Sequence, residues 1–179
     1  MSSKIVNTLQ TRTTQNVILL SLVAAILIEV LLAEIVVNNY YSLFKFPWSI
    51  ILVILIIIAS LVYYYLRNWS ENVKYIVDRI APFSILLASI GILLAIIHNP
   101  PTGALFILTA YYLEVVVGKI IKKDLEKVDK IGSIVFFAGI ILFIIPLLLV
   151  LVDPKLAMIP LLGNSLKMVG LLLLAIKIR

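Results

Sequence analysis

Apolar residues run almost unbroken for about twenty positions at a time, six times along the 179-residue chain. The runs cover roughly residues 17–37, 47–66, 80–97, 101–121, 131–152 and 156–176. Each approaches the ~20 residues an α-helix needs to cross ~30 Å of hydrocarbon. None shows the single apolar stripe of a surface helix on a soluble core. Lipid admits only backbone whose polar groups are paired internally, so helices are the expected elements. The pattern predicts an all-α polytopic membrane protein with six transmembrane helices arranged as three hairpins. They form a single integral membrane domain over 1–179, whose first residues, 1–16, are a polar cytoplasmic tail.

Polar punctuation agrees. Pro47, Pro100–Pro101 and Pro154 stand where the second, fourth and sixth runs begin; proline suits a first helical turn because its missing N–H had no partner there. Asn99 and Asp153 precede two of them as N-cap residues would. Pro146 predicts a kink in the fifth run. Basic residues alternate between connections. Lys4 and Arg12, then Arg67, Lys74 and Arg79, then Lys119, Lys122, Lys123, Lys127 and Lys130, then Lys177 and Arg179 all fall on one side. The other side holds only Lys45 and Lys155. The positive-inside rule puts the first set, and both termini, in the cytoplasm of a multi-pass protein of the cell (plasma) membrane. Tyr40, Tyr41, Phe46 and Trp48 mark the outer interface; Tyr63, Tyr64, Tyr65 and Trp69 mark the inner one. A polar start followed by a run too long for an h-region predicts no cleavable signal. In residues 118–132 the i,i+4 pairs Lys122–Glu126 and Glu126–Lys130 let the fourth helix continue out of the membrane. That stretch reads as a solvated loop or as a dock for anionic headgroups or an acidic partner.

Composition narrows the chemistry. The chain is 63% hydrophobic and 13% charged, far from a soluble domain. Its net charge of +6 lies at the membrane face, so nucleic acid is not an expected partner. Cysteine is absent and His98 is the only histidine, which removes disulfides, thiolate sites and paired-histidine metal sites. No metalloprotease, P-loop or nucleophile-elbow motif is present, so no enzyme activity and no cofactor are expected. The Ile-rich, Lys-rich, Cys-free composition fits a thermophile.

The last two hairpins resemble each other. Residues 84–100 and 133–154 each carry a serine, a glycine (Gly91 or Gly139), an apolar stretch and a proline turn. Each is followed by an apolar run ending near Gly118 or Gly170 beside basic residues. This glycine–apolar–proline–apolar–glycine pattern, over residues 80–176, resembles the membrane repeat of the HdeD family. The resemblance implies a small six-helix inner-membrane protein linked with acid resistance.

The candidate chemistry is a set of intramembrane charges. Charged side chains there cost ~2.5–3.5 kcal/mol even on lenient scales and tend to face the bundle interior. At ~1.5 Å per residue, Glu29, Glu114 and Lys167 all fall in the middle third of the bilayer. Lys167 is expected to pair with Glu114 or with Glu29, leaving one carboxylate protonated or in contact with another chain. Tyr111 lies three residues from Glu114 on nearly the same face. Gly163, Asn164 and Ser165 weaken the sixth helix, which is either broken there or packed closely through small residues. Glu34 sits near the outer interface with Asn38 on its face, and His98 lies on the outer turn. The lipid bilayer is the expected partner, with other membrane subunits or a second copy beside it. These features suit a structural or accessory membrane protein. The alternative is a small transporter or channel passing ions or protons by Glu29 and Glu114.

Overall fold

A computed structural model describes residues 2–97 and 99–178, with side chains described from Arg12 onward. Those residues form seven α-helices: α1 (Ser2–Asn38), α2 (Trp48–Leu66), α3 (Glu71–Ile97), α4 (Pro100–Leu125), α5 (Lys130–Ile144), α6 (Leu147–Val150) and α7 (Met158–Lys177). Six segments are long and apolar enough to cross a membrane, α5 and α6 together making the fifth. This is an all-helical, integral membrane architecture.

Local chemistry explains the ends. No Gly or Pro occurs between Ser2 and Asn38, so the polar tail is continuous with the first span. Asn39 stops it with φ 79°, and its side chain accepts the Tyr41 N–H at 2.7 Å. Asn99 caps α4 by accepting from the Thr102 N–H. Asp153 accepts from the Lys155 N–H, so it caps a short 310 turn (Pro154–Ala157) rather than α7 itself. Asp129, not singled out by the sequence, caps α5 through the Gly132 N–H at 2.7 Å. Two basic-side ends differ from expectation. α3 starts nine residues earlier than its apolar run, because Ser70 caps it by accepting the Val73 N–H at 3.4 Å and residues 71–79 contain no Gly or Pro. α4 does continue past Ile121 and forms Lys122–Glu126 at 3.1 Å, but it ends at Leu125. Glu126 and Lys130 therefore do not share a helix, and Asp124 instead holds Lys127 at 2.6 Å.

Pro146 divides the fifth span as anticipated. Leu149 N–H turns to the Pro146 carbonyl, and the Ile145 carbonyl accepts the Tyr112 hydroxyl at 3.0 Å. A tyrosine of α4 thus satisfies a backbone group at the break, as a low-dielectric setting requires.

α5 packs most extensively on α7, and α3 on α4; α1 touches both α2 and α7. Outward side chains such as Leu19, Val23, Ile26, Val30 and Val37 of α1 stay exposed. Apolar faces of this extent suit lipid rather than water.

The α5–α7 contact follows one rule. Along α5 stand Gly132, Phe136, Gly139 and Phe143; along α7 stand Gly163, Lys167, Gly170 and Leu174. Both sets repeat at steps of four, three and four, the heptad seam of a supercoiled pair. The helices run antiparallel, so each large side chain meets a glycine. Phe143 lies on Gly163, Lys167 on Gly139, Phe136 on Gly170 and Leu174 on Gly132. A methyl group added to Gly139, Gly163 or Gly170 would strike the opposing backbone, not merely a movable side chain. Close backbone approach replaces the hydrophobic drive that lipid does not supply. Gly91 and Gly103 give α3 and α4 a similar crossing.

Candidate functional site

Within five positions in the middle of α7, four residues contact three different helices. Gly163 faces α5, Asn164 and Ser165 face α1, and Lys167 lies against Gly139 of α5 while reaching α4. The helix is unbroken through this stretch, so the small residues serve packing rather than a discontinuity.

Lys167 is buried, with its side chain only 4% exposed. Its aliphatic stem fills the place that Phe or Leu takes elsewhere on the seam, and its head leaves the seam. Nζ lies 3.3 Å from Glu114 Oε1 and 5.3 Å from the centre of the Phe143 ring. Two glycine-seam positions therefore place the ammonium between a carboxylate and an aromatic face. Glu114 itself is 32% exposed toward the bundle's voids.

Glu29 does not share this lysine. Its carboxylate accepts from Asn164 Nδ2 and from Ser165 Oγ, each at 2.5 Å. Asn164, fully buried, also donates to the Ala25 carbonyl at 2.7 Å. The expected three-member cluster is therefore two sites on adjacent faces of α7: an ion pair with α4 and a neutral-donor cradle for α1. The reason is angular. At ~100° per residue, Ser165 lies ~160° around α7 from Lys167, with Asn164 between them, so Ser165 and Lys167 point to different neighbours.

Tyr111 does not bond Glu114. Its ring packs edge-on to Phe143 at 5.6 Å, and its side chain lines the voids beside the pair. Glu34 accepts from Asn38 at 3.1 Å, one turn along α1 at the outer end. His98 lies outside the described residues. Sequence reading placed Tyr63 and Trp69 at the inner interface and did not single out Ser84 as a site residue. Ser84 crosses from α3 to the Ala110 carbonyl of α4 at 3.1 Å, and the other two line the central cavity. Ser84 carried a sequence signal only as one of two serines, with Ser89, within an apolar run. Among the described residues no cluster of His, Asp and Glu could hold a metal ion.

Ser165→Ala removes one of the two side-chain bonds to Glu29 and little volume. It should lower unfolding stability in detergent by about 1 kcal/mol, a typical value for an interhelical bond in a membrane. Ser165→Cys or Ser165→Thr should retain more of that stability than Ala, and equal stability of all four proteins would show that the bond contributes nothing. In comparisons with known proteins, the chain matches no family model, no curated protein and no solved structure.

Proposed function

We propose that the chain is a structural or accessory subunit of the plasma membrane, without catalytic activity. It is built as three hairpins with both termini in the cytoplasm, and it acts within a larger membrane complex or as a homo-oligomer. The observation that carries this reading is how the intramembrane polar groups are used. Lys167 is spent on Glu114, and Asn164 and Ser165 are spent on Glu29, each tying α7 to another helix. Groups consumed in this way hold helices together. The basic ends of α1, α3, α4 and α7 support the orientation. The close crossings at Gly91 and Gly139 support an HdeD-like repeat, since both glycines lie against the backbone of the partner helix. Gly118 departs from that symmetry, meeting Ile140 of the neighbouring pair, whereas Gly170 meets its own partner α5.

Mild solubilisation from native membranes tests this. The tagged chain should elute in a stoichiometric assembly larger than one 20.0 kDa copy. Elution as a lone, monodisperse monomer would refute it. A second reading, ion or proton passage, draws on the void that reaches Glu114. It requires flux in proteoliposomes that Glu114→Gln or Glu29→Gln abolishes while the fold persists; flux unchanged in both variants would remove it.

A further inference from the structure

Glu114 gives one carboxylate oxygen to Lys167, and Oε2 has no hydrogen-bond partner among the described residues. A cavity of about 120 Å³ opens beside this pair, with Tyr63 and Tyr111 in its wall. At its other end, near the lysine-rich connections, stand Leu66, Trp69 and Leu125. Glu114 and Leu125 are eleven residues apart on α4, which sets the cavity's length at ~16 Å.

Trp69 lines this cavity, and its indole N–H is buried and bonds to no protein group among the described residues. A buried donor left without an acceptor carries an uncompensated desolvation cost. A void holds a water once it offers ~10–15 Å³ to the probe and two or more polar partners. This one has room for several. Trp69 Nε1 can donate at the basic end. Glu114 Oε2 can accept at the deep end, where Lys167 and the two phenols can donate. A smaller void of about 80 Å³ continues from Glu114 and Tyr63 to Ser84.

Toward the opposite face the lining changes. A cavity of about 90 Å³ begins on the far side of Tyr111 and Phe143 and is walled by residues such as Ile28, Leu32 and Leu108. It contains no charged side chain, and its one further polar group is the Tyr40 phenol at the outer end. Apolar voids of this kind stay dry.

We propose that the Glu114–Lys167 pair is a water-binding site, entered from the lysine-rich end past Trp69 and closed on the other side by Tyr111 and Phe143. The pair is then a hydrated site with one-sided access for water and protons, rather than a dry latch. This goes beyond the accessory reading and does not depend on it.

The absence of native cysteine makes the test direct. Single cysteines are placed at Ala59 and Val117 in the cavity wall, at Leu108 in the apolar cavity, and at lipid-facing Ile57. Lys123→Cys and Lys155→Cys report which face of a sealed vesicle the reagent meets, whichever way the chain is oriented. The probe is a charged methanethiosulfonate, which reacts with thiolate and therefore requires water at the sulfur. Applied to the face that labels Lys123→Cys, it should modify Ala59→Cys and Val117→Cys at least about tenfold faster than Ile57→Cys and Leu108→Cys. Rates at Ala59 and Val117 no higher than at Ile57 would overturn the hydrated site. Leu108→Cys reacting as fast as Val117→Cys would overturn its one-sidedness. Each variant must elute like the parent protein, and Val62→Cys, also in the wall, replaces any that does not.

Discussion

Gly139→Leu is expected to abolish the native packing of α5 on α7. At Gly139 even a methyl group would meet the Lys167 backbone, and neither helix can yield without opening the seam at Gly163 and Gly170 as well. Overpacking in a close-packed interior costs ~1–3 kcal/mol and occasionally more. Here the obstacle is backbone, so the loss belongs at the upper end. A fall in melting temperature of roughly 10 °C in mild detergent, or failure to elute as a single species, is the expected result. Gly118→Ala is the matched control. Its new methyl would meet the far end of the Ile140 side chain at 2.9 Å, which can rotate away. It should cost less than about 1 kcal/mol. Equal effects at the two glycines would show that the α5–α7 seam is not the tight contact described.

The second large effect is expected from Lys167→Met. Met retains the stem that fills the Gly139 position and deletes the charge, so packing is preserved while Glu114 loses its cation. Removing one partner of a fully buried pair costs ~3–5 kcal/mol. Glu114 is a third exposed, which places the loss lower, at about 2 kcal/mol. Thermal unfolding in detergent checks this, with Lys167→Leu as a second variant of similar bulk. A melting temperature unchanged in both would mean that the ammonium does not hold α4 to α7.

Much of this arrangement was legible in the chain. Run length and hydropathy located the six spans, and proline and capping residues located the starts of the second and fourth and the turn before the sixth, because both are local properties. The unusual "GNSLK" stretch on α7 marked the polar centre correctly as a place. Its pairings were less legible. Glu29, Glu114 and Lys167 share a depth, and depth alone made one cluster the natural expectation. Which face of α7 meets α1 or α4 depends on the rotation of the helix, which the glycine seam sets. The seam itself is written in the sequence, as the spacing of Gly132, Gly139, Gly163 and Gly170 with a large residue four positions after each. It becomes readable only when the two segments are aligned antiparallel. Trp69 shows a different limit. As an aromatic at a span's end it reads as an interface anchor, and nothing local indicates that it lines a cavity with its N–H buried and unpartnered.

The central claim is that the buried charges are coupled to each other to hold helices together. A double-mutant cycle tests it most directly, measuring unfolding free energy in one detergent for the parent protein, Lys167→Met, Glu114→Gln and the double variant. The account predicts that the double variant is more stable than the two single losses imply, by about 1 kcal/mol or more. Losses that add to within about 0.5 kcal/mol would contradict it, leaving Lys167 and Glu114 as neighbours without a shared role.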